Sequence, residues 1–135
     1  YTGNEFVTSE LISSYAWDTA LNFICQTNEE GYLLATTTDD AYGNINKGYS
    51  NTNRTQTGEY SADNYSNIND LLGNCSEETT EYSSYTSYGH SYPCVGRGSS
   101  YSSSNSFAAR RGSGDPTGRS ATGSFRIQLY VNPES

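Results

Sequence analysis

The sequence contains little methionine, tryptophan, proline or histidine. It has no methionine, one tryptophan, three prolines and a single histidine, His90, in 135 residues. No cysteine pair has CxxC spacing and His90 lies in no metal-like cluster, so we expect no zinc site. Neither a serine–histidine–acid arrangement nor a catalytic pair of acids is evident, and the common hydrolytic mechanisms are therefore not expected.

The cysteines also limit the covalent cross-links. Cys25, Cys75 and Cys94 are an odd number, which fits no complete set of intrachain disulfides. A Cys25–Cys94 bridge and a Cys75–Cys94 bridge both stay open from the sequence. Cys25 lies within an apolar helical pattern, and we expect it to act as a small buried hydrophobic residue.

Basic residues and long apolar runs are scarce as well. Seven Lys and Arg oppose 15 Asp and Glu, which gives a net charge of −8. A chain this acidic is poorly suited to bind nucleic acid. No run of 18 apolar residues occurs, so we expect no insertion into a membrane.

The charge is unevenly distributed along the chain. Residues 1–96 are strongly acidic, whereas residues 97–135 hold five arginines against two acids. Three readings follow: the two parts pack against each other, the acidic part binds cations, or the charges are solvated on separate faces.

Aliphatic residues are few, and tyrosine replaces them. Hydrophobic residues make up 33% of the chain, and 13 of its residues are tyrosines. Low aliphatic content alone is typical of disorder, but an aromatic fraction of 13% argues for a folded chain. We therefore expect one domain over residues 1–135, with a small core and much polar loop.

The clearest secondary structure is a helix over Ser9–Gln26. Its apolar residues recur at three- and four-residue spacing. Thr8 or Ser9 is suited to cap this helix, and Glu10 places a favourable negative charge in its first turn. Trp17 is expected to anchor the core rather than to contact a ligand.

Strand and loop character predominates in the rest of the chain. Residues 27–64 are expected to be mostly loop, with Tyr32–Ala35 as a short strand or a brief apolar contact. A strand is expected to begin at Thr79. From 125 to 131, apolar and polar residues alternate, which predicts a closing strand with its apolar side half-buried. Arg126 on this strand is expected to hold the fold together through an acidic partner.

A turn rich in oxygen donors lies near the middle of the chain. Asp70 and Glu77 are hard donors seven residues apart, and Gly73 and Asn74 between them tolerate a turned backbone. Carboxylates and carbonyls around a tight turn are the ligands that Ca²⁺ prefers. From the residues alone, a surface turn with two solvated acids is the alternative.

The segment 82–106 is dominated by two residue types, with ten serines and five tyrosines in 25 positions. Tyrosine supplies a large amphipathic contact area at low entropic cost, and serine supplies adaptable hydrogen bonds, as in antibody binding loops. This composition predicts a recognition surface. The alternative is a low-complexity linker.

Four segments, in order along the chain, resemble one protein family. They read LISSYAWDTAL at 11–21, NDLLGNCSEET at 69–79, VGRGSSY at 95–101, and FAARR followed by GSFRIQL between 107 and 129. These segments are similar to motifs of the C-type-lectin-fold domain shared by formylglycine-generating enzymes and the variable proteins of diversity-generating retroelements. The resemblance spans residues 9–131.

The resemblance implies a fold and a metal site. The fold is α+β, C-type-lectin-like of the formylglycine-generating-enzyme subtype, with few helices, a small antiparallel sheet and much irregular loop. In the turn it implies a structural Ca²⁺, held by the side chains of Asp70 and Glu77 and the carbonyls of Gly73 and Cys75. The family domain has further strands before its helix, including one that pairs with the closing strand. We expect this chain to lack them.

Within the family, the resemblance favours a binding protein over an enzyme. The enzymes place reactive cysteines shortly after the segment that matches 97–101, where this chain has Ser102–Ser106 and no cysteine. Serine does not replace a thiolate in such oxidative chemistry. Formylglycine generation is therefore the least favoured function, and no catalytic residue is predicted.

The variable proteins of this family bind ligands through a diversified surface near the C-terminal part of the fold. Residues 99–124 share the Tyr, Ser, Asn, Asp and Gly bias of such surfaces. The residues predicted to form the contact face are Tyr85, Tyr88, Tyr92, Tyr101, Ser102, Ser103, Asn105, Arg111, Asp115 and Arg119.

The partner implied by this reading is a protein or a surface glycan, not nucleic acid. The expected location is extracellular, on a cell surface or on a virion. A structural or adhesive subunit of a phage tail or cell-surface assembly is the alternative function, and a homo-oligomer is compatible with both.

Overall fold

The computed structural model describes residues 7–45, 53–59, 61, 64–104 and 107–131. Two α-helices and ten short strands are present in these ranges, which is an α+β arrangement. In chain order the elements are β1 (Val7–Leu11), α1 (Ser14–Thr27), α2 (Gly31–Thr36), a 3₁₀ turn (Asp40–Tyr42), β2 (Asn64–Tyr65), β3 (Ile68–Asn69), β4 (Ser76–Tyr82), β5 (Thr86–Ser87), β6 (His90–Ser91), β7 (Cys94–Arg97), β8 (Arg111–Gly114), β9 (Gly123–Phe125) and β10 (Ile127–Val131).

A four-stranded sheet forms the centre of the fold, with the strand order β8-β7-β4-β9. β4 pairs antiparallel with β7, β7 pairs antiparallel with β8, and β9 runs parallel to β4. The strand expected from Thr79 is therefore confirmed, although it begins three residues earlier, at Ser76. Because segments from both sides of the Ser/Tyr-rich stretch pair in this sheet, residues 82–104 are held within the domain.

The first helix begins later than the sequence predicts. Residues 7–11 form β1, which pairs antiparallel along its length with β10. The helix starts at Ser14, and the Ser13 hydroxyl accepts a hydrogen bond from the Ala16 amide at 3.1 Å as its N-cap. We expected no strand before the helix to pair with the closing strand. β1 does so, and its long-range pairing outweighs the helical pattern at this position.

Residues Tyr32–Ala35 are helical, so of the two alternatives for this segment the short strand is wrong, and the brief apolar contact agrees with the burial of Leu34. They belong to α2, which packs against the end of α1. The two helices approach so closely at Gly31 that a Cβ there would lie 2.3 Å from the Ile24 carbonyl oxygen. Leu34 points into the core, and this tertiary burial decides the conformation of a segment that is ambiguous from its sequence alone.

The core is small and is centred on Trp17, which is fully buried as predicted. Both helices, the turn after β3 and the loop before β8 contribute to it. Its buried members are Ile12, Trp17, Leu21, Ile24, Leu34, Ile45, Leu71, Leu72 and Ala108. The three cysteines are unbridged and only partly buried, so neither of the alternative disulfides is formed.

A buried arginine joins α1 to the central sheet. The Arg97 side chain is 0% exposed, and its Nη2 donates to Asp18 Oδ1 at 2.5 Å. Its guanidinium carbon lies over the Trp17 ring, 5.8 Å from the ring centroid, and Arg126 lies at the same distance from this ring. Cation–π attraction and the Asp18 carboxylate together compensate for the cost of burying the Arg97 charge.

The closing strand has the predicted alternation, but its polar side faces the core and its apolar side faces solvent. Its apolar residues are exposed, at 57% for Ile127, 54% for Leu129 and 77% for Val131. Arg126 and Gln128 face inward instead. Arg126 forms a bidentate ion pair with Glu77, with both contacts at 2.8 Å, which confirms its structural role. The expectation that the apolar side is half-buried was therefore wrong, because the inward side is used for hydrogen bonds and ion pairs.

A network of asparagine side chains holds the turn after β3. Asn74 Nδ2 donates to the Thr55 carbonyl at 3.2 Å, and its Oδ1 accepts from the Thr55 amide at 3.0 Å. The Asn44 carbonyl accepts from the Asn74 amide at 2.9 Å. Gly73 has a φ of 82°, and a Cβ there would lie 2.2 Å from the Asn44 carbonyl oxygen, so this position requires glycine.

We predict that Asp18→Asn destabilises the fold at neutral pH by about 3 kcal/mol, because it leaves the Arg97 charge buried without a counter-ion. Burial raises the pKa of Asp18, but the hydrogen bonds and charges of Arg97 and Arg111 outweigh this and hold it below its ordinary value. The stabilisation by Asp18 is thus complete above about pH 4 and is lost as the pH falls through the lowered folded-state value.

Urea unfolding at pH 7 and at pH 3 measures both effects. The difference between wild type and Asp18→Asn is expected to shrink at pH 3. Glu81→Gln is the control, because Glu81 pairs with the exposed Arg111 and its loss is expected to cost less than 1 kcal/mol. Equal stability of wild type and Asp18→Asn at pH 7 would contradict the role given to Arg97.

Candidate binding site

The two faces of the central sheet have different surroundings. Side chains alternate along β4, so Glu77 and Thr79 are buried while Ser76 and Glu78 line open cavities on the other face. On the inner face, the Thr79 hydroxyl lies 3.0 Å from the Ser14 hydroxyl of α1. The opposite face carries no helix of the described chain, and we call it the outer sheet face.

Glycine forms the floor of the outer sheet face. Its residues are Ser76, Glu78, Gly96, Gly112, Gly114 and Gly123, which come from all four strands. Four of these six positions lack a side chain, so the surface is recessed rather than filled. A Cβ at Gly114 would lie 2.3 Å from Glu78 Oε1, and one at Gly96 would lie 2.7 Å from the Ser76 hydroxyl. Glycine at these positions therefore makes room for the polar side chains of β4.

Two adjoining cavities lie over this floor. The larger has a volume of about 280 Å³ and is lined by Ser76, Glu78, Tyr92, Ser113, Gly114, Asp115, Gly118, Arg119, Ser120, Thr122 and Gly123. The smaller has a volume of about 150 Å³ and is lined by Ser76, Gly96, Ser99, Ser100, Ser103, Arg110 and Gly112. Ser76 lines both, so the two cavities form one polar depression along the sheet.

Glu78 is the most unusual side chain of this depression. Its Oε2 is buried and accepts no hydrogen bond from the described part of the chain. Burial raises the pKa of Glu78, and the nearby charge of Asp115 raises it further. Asp115 itself accepts hydrogen bonds from Thr117, which lower its pKa, so this neighbour stays ionised. An unsatisfied carboxylate in a cavity is a group that a ligand can stabilise.

Three of the predicted tyrosines lie on or near the β5–β6 hairpin beside the larger cavity. The Tyr85 and Tyr92 rings have centroids 5.8 Å apart, and the Tyr92 amide donates to the Tyr85 carbonyl at 3.0 Å. Tyr92 lines the cavity. Tyr88 is fully exposed at the hairpin tip, and it and Gly89 have φ angles of 49° and 79°, as in a type I′ turn.

The other predicted contact residues that the structure describes divide between four places. Asp115 and Arg119 line the larger cavity, together with Tyr92. Ser103 lines the smaller one, and its hydroxyl lies 3.2 Å from that of Ser100, as does the hydroxyl of Ser102.

Tyr101 is half-buried beside the turn after β3, where its amide donates to the Asn74 carbonyl at 3.0 Å. Asn105, also predicted as a contact residue, lies outside the described residues.

Arg111 does not lie with the other predicted contact residues. It projects to the inner face, where it pairs with Asp18 and, at 3.3 Å, with Glu81. Burial lowers the pKa of Arg111, but these two carboxylates outweigh that effect and raise it. Its neighbourhood is structural, as part of the charge cluster around Arg97.

The turn predicted to hold calcium is organised by other contacts. The predicted ligands are Asp70, Gly73, Cys75 and Glu77. Both carboxylate oxygens of Glu77 accept hydrogen bonds from Arg126, whose Nη2 also donates to the Asn69 carbonyl at 2.8 Å. An Asp70 oxygen accepts from Asn74 Nδ2 at 3.4 Å. A guanidinium at the Glu77 carboxylate does not fit a Ca²⁺ site, so calcium binding stays a prediction and takes no part in the function below.

Glu78 and the glycine floor were not foreseen from the sequence. The alternation that buries Glu77 places Glu78 on the outer face, but this follows only if the strand begins before Glu77. Glycines at 112 and 114, two residues apart in a strand, were the available signal, because glycine within a strand often marks close approach of another group.

Comparisons with known proteins return no match: no family model, no curated protein and no solved structure is significantly similar to the chain. In the described ranges, no three His, Cys, Asp or Glu side chains are grouped closely enough to hold a metal ion. The described helices include none whose length and apolar character would let it cross a membrane.

Proposed function

We propose that this protein is a non-catalytic binding domain that recognises its ligand with the outer sheet face and the β5–β6 hairpin. The observation that carries the proposal is the polar depression over the glycine floor, in which Tyr92, Asp115 and Arg119 meet around Glu78. Side chains of different chemistry converge on one concave surface, and the strand β4 holds Glu78 at its centre.

The conformation of Tyr88 supports a role in contact rather than in stability. Asparagine or glycine is favoured where φ is positive in a type I′ turn, and a tyrosine there is strained. Tyr88 is 100% exposed, so it gains nothing from packing within the domain. A large aromatic side chain kept at a strained and solvated position is well suited to anchor a partner.

The recognition residues and the supporting residues are separate in space. The inner face of the sheet holds the Arg97, Asp18 and Arg111 cluster and the Trp17 core, whereas the outer face contributes little to the buried core. Substitutions on the outer face therefore leave the main stabilising contacts in place. This separation suits a surface that varies while its scaffold does not.

We also propose that the resemblance to the formylglycine-generating-enzyme family reflects a shared fold. A C-type-lectin-like subtype and a variable protein of a diversity-generating retroelement agree with the Tyr- and Ser-rich segments beside the outer sheet face. The corresponding partner is a protein or a surface glycan, met outside the cell or on a virion. We propose no enzymatic activity, because the cysteines of the related enzymes have no counterpart after Arg97.

The test uses a random 12-residue peptide library, panned on the immobilised chain, with a glycan array as a second probe. We predict that selected ligands lose at least tenfold in affinity with Tyr88→Asn and with Tyr92→Ala, because each removes an aromatic contact. Tyr88→Asn suits the turn, so it is expected to keep or raise the melting temperature while it weakens binding.

Tyr15→Ala is the matched control, since Tyr15 is 83% exposed on α1, on the inner side of the sheet. The Tyr15→Ala variant is expected to bind the selected ligands with the affinity of wild type. Ligands that depend on Tyr15 and ignore Tyr88 and Tyr92 would contradict the proposed site, and so would the absence of any ligand from both probes.

A second candidate function, an assembly subunit, is favoured by a different surface. An exposed apolar stripe runs from the end of β9 along the closing strand and consists of Phe125, Ile127, Leu129 and Val131. Four neighbouring apolar residues, each more than half exposed, are typical of a contact surface. A second copy of this chain is the partner we propose for this stripe.

We predict that the wild-type chain associates at high protein concentration and that Leu129→Lys prevents it, because a lysine there would bury a charge in the interface. Light scattering after size exclusion should give a mass above 14.7 kDa for wild type and 14.7 kDa for Leu129→Lys. Tyr88→Asn, the control, should still associate. A wild-type monomer at all concentrations would exclude this second candidate.

A further inference from the structure

We propose that the larger cavity of the outer sheet face takes the protonated amino group of a lysine side chain, with Glu78 as its counter-ion. The inference rests on the proposed recognition role of this face and names the chemistry of the partner. The occupant we infer is a lysine on the surface of a partner protein.

The first argument is the unsatisfied oxygen of Glu78. Its Oε2 is buried with no donor in the described part of the chain, and the desolvation of this carboxylate raises its pKa. Because this oxygen has no donor, the negative charge of the carboxylate is poorly compensated until a cation binds from the side that faces the cavity. An ammonium group supplies three donors and a positive charge in one compact group.

The second argument is the sign of the charge around the cavity. Asp115 lies close enough to Glu78 to raise its pKa, so two carboxylates act on the same space. Arg119 is the cationic side chain on the lining, and it forms no ion pair with either acid among the described contacts. The potential at Glu78 is therefore negative, which favours a cation over a neutral hydroxyl and disfavours an anion.

The third argument is the shape of the site. Glycine at 114 lets the Glu78 carboxylate lie flat against β8, since a Cβ there would come within 2.4 Å of both its oxygens. The carboxylate is thus at the bottom of a cavity of about 280 Å³ whose wall includes Tyr92. A linear alkylammonium reaches such a floor, and its methylene groups pack against the aromatic wall. An amino sugar carries its amine on a bulky ring and fits this geometry less well.

The experiment is an NMR titration of the full chain with N-acetyl-lysine N-methylamide. Its neutral counterpart, N-acetyl-norleucine N-methylamide, tests whether the charge matters, and glucosamine tests the alternative source of an amine. We expect saturable shifts of the β4 and β8 amides with the lysine probe. We also expect at least tenfold weaker binding of the norleucine and glucosamine probes.

Two variants test the role of the carboxylate. Glu78→Gln keeps the shape of the side chain and removes its charge, and Gly114→Ala keeps the charge and displaces the carboxylate. Each is expected to weaken lysine binding at least tenfold. Glu10→Gln, which removes one exposed negative charge on β1, is expected to change it less than twofold. Circular dichroism of each variant shows whether the fold is retained, and Glu78→Gln decides the question if Gly114→Ala does not fold.

Wild-type affinity in Glu78→Gln, or norleucine or glucosamine binding as tight as lysine, would overturn this inference. Its failure differs from the failure of the proposed function. Peptides selected on the outer face that lack lysine, and whose binding survives Glu78→Gln, would leave the recognition site standing and remove the lysine. Saturable binding of the lysine probe by a chain for which neither the peptide library nor the glycan array yields a ligand would leave the lysine site standing and remove the proposed recognition function.

Discussion

The arrangement of this domain depends on one buried cation, the guanidinium of Arg97. The strand β7 carries it into the space under α1, where it lies over the Trp17 ring and donates a hydrogen bond to Asp18. Its Nε and Nη1 find no partner among the described residues, so the aromatic ring and one carboxylate carry most of the compensation. Because a buried charge without a partner is costly, the helix and the sheet are held at one separation and one register.

The two faces of the sheet acquire different roles from this arrangement. The inner face is committed to structure, since Arg97, Arg126 and Arg111 pair there with acids of α1 and β4. These ion pairs join the arginine-rich end of the chain to its acidic part, as one reading of the charge distribution anticipates. The outer face is left with glycines, serines and the carboxylate of Glu78, whose Oε2 has no partner among the residues that the structure describes. The polar depression on this face makes few of the contacts that stabilise the fold, and we propose that it is the recognition site.

What the sequence predicted well are features decided locally or by strong chemical preference. Trp17 is in the core, Arg126 is paired with an acid, and a strand leads into the Ser/Tyr-rich stretch. The errors concern features set by distant partners. Val7–Leu11 is a strand because it pairs with residues near the other end of the chain, and the same pairing leaves the apolar side of β10 exposed. Glu78 was missed because its face depends on where β4 begins.

The most direct test of this account is the hydrogen exchange of the Arg97 Nε–H, followed by ¹⁵N NMR in the intact chain. Arg119, which is exposed on the loop after β8, serves as an internal reference. The account predicts an Arg97 Nε–H signal that is shifted by the Trp17 ring current and exchanges at least a hundredfold more slowly than that of Arg119. An Arg97 signal with an unshifted position and the exchange rate of Arg119 would contradict it.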